Sequence, residues 1–157
     1  MSDFPKFEEY KLLLEDTTRL IERRKIESNL YTTINMILLA AITFLINDSG
    51  LENWMVMMGT LVVVFGGVLI SYSWMLMIEN YKKLSNLRFQ VLWEMEEDMP
   101  ESVKIFHREE ALYPRDQEGK QLSTKGLFAD VEKRLPLVFI ILYVISGAVI
   151  VLGFLTG

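Results

Sequence analysis

Hydrophobic and charged positions fall in long blocks along this chain. Residues 1–28 are charged, 29–46 apolar, 47–53 a short polar loop, 54–78 apolar, 79–135 charged and 136–155 apolar. The block 54–78 runs for 25 residues without Asp, Glu, Lys, Arg or His. As a helix rising about 1.5 Å per residue it measures roughly 37 Å, more than a hydrocarbon core of about 30 Å. A buried helix of a soluble protein rarely stays apolar on every face for so long, so the block is predicted to cross a membrane. The block 29–46 is also free of charge, although Thr32, Thr33 and Asn35 occupy its first two turns, and the block opening at Pro136 reads as a third span. Asn35 is predicted to act as glue between helices, with its neighbours bonding carbonyls four residues back.

The charged blocks read as amphipathic helices. Tyr10, Leu13, Leu14, Thr17, Leu20 and Ile21 recur at helical spacing after Pro5, and the pattern predicts one helix from Phe7 into the first span. Beyond Ile78, a stripe of Tyr81, Leu84, Leu87, Val91, Met95 and Met99 at steps of three or four predicts that the second helix continues to Pro100. The stripe is read as a bundle core and interaction surface. Pro100, Pro114 and Gly119 punctuate residues 100–123; a start signal at Thr124 then leads through Leu127, Phe128, Val131 and Leu135 to Pro136, which is expected to open the third span rather than interrupt it.

Charge fixes the orientation. Of the 16 Lys and Arg residues, six lie in 1–28 and ten in 79–135, and none in the 47–53 loop or after the third span. Cations concentrate on the cytoplasmic side, which gives three spans with the N-terminus inside and the C-terminus outside. The predicted fold class is an all-α membrane protein whose cytoplasmic helical domain combines the N-terminal helix with the segment between spans two and three. The first 28 residues hold seven acids and no apolar h-region, so no cleavable targeting peptide is expected. Arg23, Arg24, Lys25, Lys133 and Arg134 sit where membrane lipid headgroups would meet them. Small residues at Gly59, Gly67, Ser146, Gly147 and Gly153 are candidate helix contacts, because backbones must approach closely where lipid removes the hydrophobic drive.

Candidate chemistry is sparse. No ionisable group lies inside a span, which argues against proton relays and coupled transport. The chain has no cysteine, and its single histidine, His107, has Glu109 and Glu110 nearby without a second histidine. His107 is read as a surface or interface residue and the two glutamates as a solvated face; no catalytic, metal or cofactor site is predicted. The charged blocks carry 16 basic and 19 acidic residues, so nucleic acid is not an expected partner.

The layout of a charged N-terminal helix, a two-span hairpin, a charged segment and a C-terminal span, with YKKLSNLRF at 81–89, EMEEDMP at 94–100 and VEKRLP at 131–136, resembles the RipA family of small octameric bacterial inner-membrane proteins. The first motif departs from that family's pattern: an Asn is expected after Leu84, where Ser85 stands with Asn86 one place later. The resemblance implies a homo-octameric ring in the bacterial cytoplasmic membrane and a role in adaptation to stress or host conditions. It supplies no catalytic residues. The leading expectation is a non-enzymatic scaffold or sensor whose cytoplasmic helices contact themselves or a further cytoplasmic protein or ligand. The alternatives are a pore-forming or membrane-perturbing effector gated by those helices, and an enzyme acting on lipid through Glu and His at the inner interface.

Overall fold

The computed structural model describes residues 3–47, 52–97, 99–100, 103–112 and 126–156, with side chains for 6–47, 52–97, 99–100, 103–108, 132 and 134–156. Among these residues four helices occur in chain order: α1 (Asp3–Asn47), α2 (Asn53–Glu97), α3 (Ile105–Leu112) and α4 (Gly126–Thr156). No strand occurs among the described residues. The turn formers of the 47–53 loop, the breakers Pro114 and Gly119 and the start signal at Thr124 lie outside the described residues, as do the side chains of Glu109, Glu110, Leu127, Phe128, Val131 and Lys133.

Continuity of α1 and α2 follows from composition. Beyond Pro5 in its first turn α1 contains neither Gly nor Pro, and α2 contains no Pro, so nothing withdraws a backbone donor along either. The Glu52 carbonyl accepts from Met55 N (2.9 Å) and Val56 N (3.1 Å) at the start of α2. At the other end α2 stops at Glu97, short of Pro100, and a turn closes with Val103 N donating to Pro100 O at 2.9 Å.

Pro136 stands close to where the third apolar stretch, Arg134–Thr156, opens, but no helix starts there: α4 begins at Gly126 and runs through it, with Pro136 buried in the interior. The ring costs the helix one N–H, but flanking turns and packing hold the axis together, as they do for prolines at membrane depth.

The chain forms two compact units, one from Met1–Lys25 and Glu79–Val131, the other from Ile26–Ile78 and Glu132–Gly157. Three helices, α1, α2 and α4, contain stretches long and apolar enough to cross a membrane. In the second unit the buried positions recur at steps of three, four or seven: Ser28, Asn35 and Ile42 on α1, Thr60, Gly67, Ser71, Trp74 and Ile78 on α2, and Pro136, Phe139, Tyr143 and Gly147 on α4. Spacing by threes and fours is that of left-handed helix packing. Trp74 fills the centre, stacked on Tyr31 with centroids 6.0 Å apart and tilted against Phe139 at 6.1 Å. The outer faces remain apolar and exposed, with Ile37, Phe44, Val62, Phe65, Val149 and Leu152 among them.

Candidate functional site

Two polar clusters stand out, one in each unit. In the second unit Asn35 joins three helices. Its Nδ2 donates to the Tyr31 carbonyl (2.8 Å), and its Oδ1 accepts from Ser71 Oγ of α2 (2.8 Å) and Tyr143 Oη of α4 (2.9 Å). The Tyr143 hydroxyl also reaches the Asn35 carbonyl at 3.2 Å. A polar group in an apolar span is tolerated when its bonding is met by protein, and here one amide ties all three spans. Trp74 Nε1 adds a bond to Ser28 Oγ at 3.2 Å. The hydroxyls of Thr32, Thr33 and Thr43 turn back to the carbonyls of Ser28, Asn29 and Leu39, which satisfies them locally.

In the first unit the cluster is built on Glu96, a carboxylate with no exposed surface. Its Oε1 accepts from Tyr10 Oη of α1 (2.7 Å), Ile105 N (3.0 Å) and Phe106 N (3.0 Å). Its Oε2 accepts from Phe106 N (3.0 Å), His107 N (3.1 Å) and His107 Nδ1 (3.0 Å). The three amides are the first of α3, which have no partner within the helix, so Glu96 caps α3 from the end of α2 and adds negative charge at its positive pole. A carboxylate only accepts, so Nδ1 is the protonated nitrogen of His107. The imidazole stacks on Trp93 with centroids 4.5 Å apart, and Phe106 meets Phe89 edge-on at 5.5 Å.

Burial pushes the Glu96 carboxyl up, but the bonds from His107, from the Phe106 amide and from Tyr10 outweigh it and hold the group below the ordinary 4.5. Tyr10 moves the opposite way: burial, and donation to the anionic Glu96, raise its hydroxyl well above the usual tyrosine range. The cluster is thus an ionised acid enclosed by donors. Among the described residues no group of three His, Cys, Asp or Glu side chains is placed to hold a metal ion.

The model of the octameric membrane protein family (8xMP) matches residues 7–153, nearly the whole chain. The chain belongs to the octameric membrane protein family. The family name implies octameric self-assembly in a membrane. No curated protein and no solved structure matches the chain.

Within this octameric membrane protein the sequence-predicted residues separate by environment. Gly67 is at closest quarters, since a Cβ there would overlap the Tyr143 ring. At Gly59 and Gly147 a Cβ would meet Leu45 at 3.7 Å and Val64 at 3.4 Å, ordinary and slightly tight contacts. Gly153 faces open space, and Ser146 Oγ bonds its own helix at Leu142 O (2.8 Å). Arg23, Lys25 and Arg134 are exposed and Arg24 half-buried.

The 81–99 stripe is split: Tyr81, Met95 and Met99 are half-buried, and the rest is open. Leu84, Leu87 and Val91 are exposed, and the buried row on α2 is Ser85, Leu92 and Glu96, because α1 and α3 pack against that neighbouring face. His107 is half-buried, its side chain 27% exposed and held by Glu96 and Trp93. Sequence reading passed over Glu96, Tyr143 and Trp74 as site residues. Their signal was the register: Glu96 stands in line with Ile78, Ser85 and Leu92, a charge in a buried row.

Proposed function

We propose that this family member is a non-enzymatic homo-octamer of the bacterial inner membrane, acting as a scaffold or sensor. Its N-terminal helix and the segment between the second and third spans lie in the cytoplasm. The orientation rests on the cation distribution, with six Lys and Arg in 1–28, ten in 79–135 and none in the loop between them. The observation that carries the non-enzymatic reading is the Glu96 cluster: the buried acid accepts from its tyrosine, from the lone histidine and from the amides of α3. Groups committed to capping a helix serve a fixed surface better than a reaction. The RipA-like motifs at 81–89 and 131–136 extend the proposal to adaptation to stress or host conditions.

The chain has no cysteine, so a single reporter tests the arrangement. Asp48→Cys is expected to react with a membrane-impermeant maleimide on intact cells, and dye-loaded liposomes carrying the protein are expected to stay sealed. Labelling only after the cells are opened contradicts the orientation. Dye release contradicts the scaffold and supports a pore.

A further inference from the structure

The first unit carries two exposed apolar edges that its own fold leaves uncovered. On α2, Leu87 is 59% exposed and Val91 39%, and Val91 and Glu94 line an open groove with Lys6 and Glu9 of α1. On α1, Phe7 is 45% exposed and Ile21 42%. These edges lie on opposite sides of the α1–α2 pair. The buried row Tyr10–Thr17 divides α1: Glu9 lines the groove, Asp16 seven residues on shares its side and meets Arg88 at 2.7 Å, and by the helical period Phe7, Lys11 and Ile21 stand on the other side, that on which Tyr10 reaches Glu96.

Lipid is not the natural cover for either edge, because both belong to the charged blocks rather than to the apolar spans. A second copy is. A ring with cyclic symmetry joins two different faces of each chain head to tail, and two non-equivalent apolar edges on opposite sides supply such a pair. Register agrees. The contacts Tyr10–Glu96 and Asp16–Arg88 fix how α1 and α2 run past each other, and by that register Lys11 stands level with Glu94 and Ile21 level with Leu84. Cyclic symmetry keeps every copy at one height, so levels shared within a chain are shared across the junction when the helices run along the ring axis. An exposed lysine then meets an exposed glutamate between matched apolar positions.

We infer that neighbouring copies join head to tail through this unit, with Leu87, Val91 and Glu94 of α2 in one copy seated against Phe7, Lys11 and Ile21 of α1 in the next. The inference rests on the octameric reading and names the surface that makes it. In the otherwise cysteine-free full-length chain, Lys11→Cys and Glu94→Cys are introduced singly and together, and membranes are treated with a short bismaleimide. A link within one chain leaves a monomer on a denaturing gel, so multimers report links between different copies. The double variant is expected to give a ladder of covalent multimers reaching eight chains, and each single variant to stay a monomer on a denaturing gel. Dimers from either single variant overturn the head-to-tail arrangement in favour of a two-fold one. A double variant that stays unlinked while its native mass remains that of eight chains overturns this surface and leaves the octamer standing. A native mass other than eight chains in the unsubstituted protein removes the octamer itself.

Discussion

Glu96 concentrates more of the first unit's polar bonding than any other described side chain, and its replacement has a definite direction. Alanine would leave the leading amides of α3, the Tyr10 hydroxyl and the His107 ring without their shared acceptor. Leaving buried donors without their acceptor in this way costs on the order of 1 to 3 kcal/mol. Glu96→Ala is therefore expected to lower the thermal midpoint of the detergent-solubilised protein and to raise hydrogen exchange at Ile105, Phe106 and His107, with Glu96→Gln between it and the natural chain. Unchanged exchange at those amides would contradict the capping role. The same residue sets an acid dependence. Its folded-state pKa lies below the ordinary 4.5, so its contribution is fully present above about 4.5 and is lost as pH falls through the lowered folded value. Protection of the α3 amides, taken relative to the intrinsic exchange rate at each pH, should fall on acidification below that point in the natural chain and stay level in Glu96→Gln. The spacing of the sequence puts Glu96 in line with Ile78, Ser85 and Leu92 but does not say that the row is covered, and a glutamate among Glu94, Glu97 and Asp98 reads as part of a solvated face; the turn that brings α3 back to α2 makes it a buried acceptor.

At the scale of elements, the helices were legible and their contacts only partly so. Absence of charge marks a span and absence of proline marks a continuous helix, which is why α1 and α2 could be foreseen almost end to end. Pro136 misled because proline so often starts helices, whereas α4 has already made more than two turns when it arrives. Glycines are ambiguous for a similar reason: sequence shows a small residue but not what approaches it. Gly66 and Gly67 are neighbours, yet a methyl at Gly66 meets nothing within 4 Å, while one at Gly67 collides with Tyr143. Gly67→Ala is expected to lower the thermal midpoint measurably and Gly66→Ala to leave it within error. Tyr143→Phe removes the bond from α4 to Asn35 without changing shape, a loss of about 0.6 to 1.7 kcal/mol for an interhelical bond in a membrane. A cost for Gly66→Ala equal to that for Gly67→Ala would contradict the packing of Tyr143 against α2.

For the whole molecule, the decisive fact is how much apolar surface a single copy leaves uncovered. The spans bury a single seam, with Asn35, Ser71, Trp74 and Tyr143 inside beside Ile42 and Ile78, and rows of Leu, Ile, Val and Phe outside. Lipid suffices for such faces on the spans. Leu84, Leu87 and Val91 lie beyond the second apolar block, in a charged stretch, and are exposed on a single copy as well. The family match over residues 7–153 and those uncovered positions lead to the same expectation of self-assembly. Mass measurement of the full-length protein, extracted in mild detergent and embedded in lipid nanodiscs, addresses it most directly. Eight times the chain mass of 18.3 kDa, after subtraction of lipid and scaffold, is the predicted result, and a stable particle of one or two chains would contradict it.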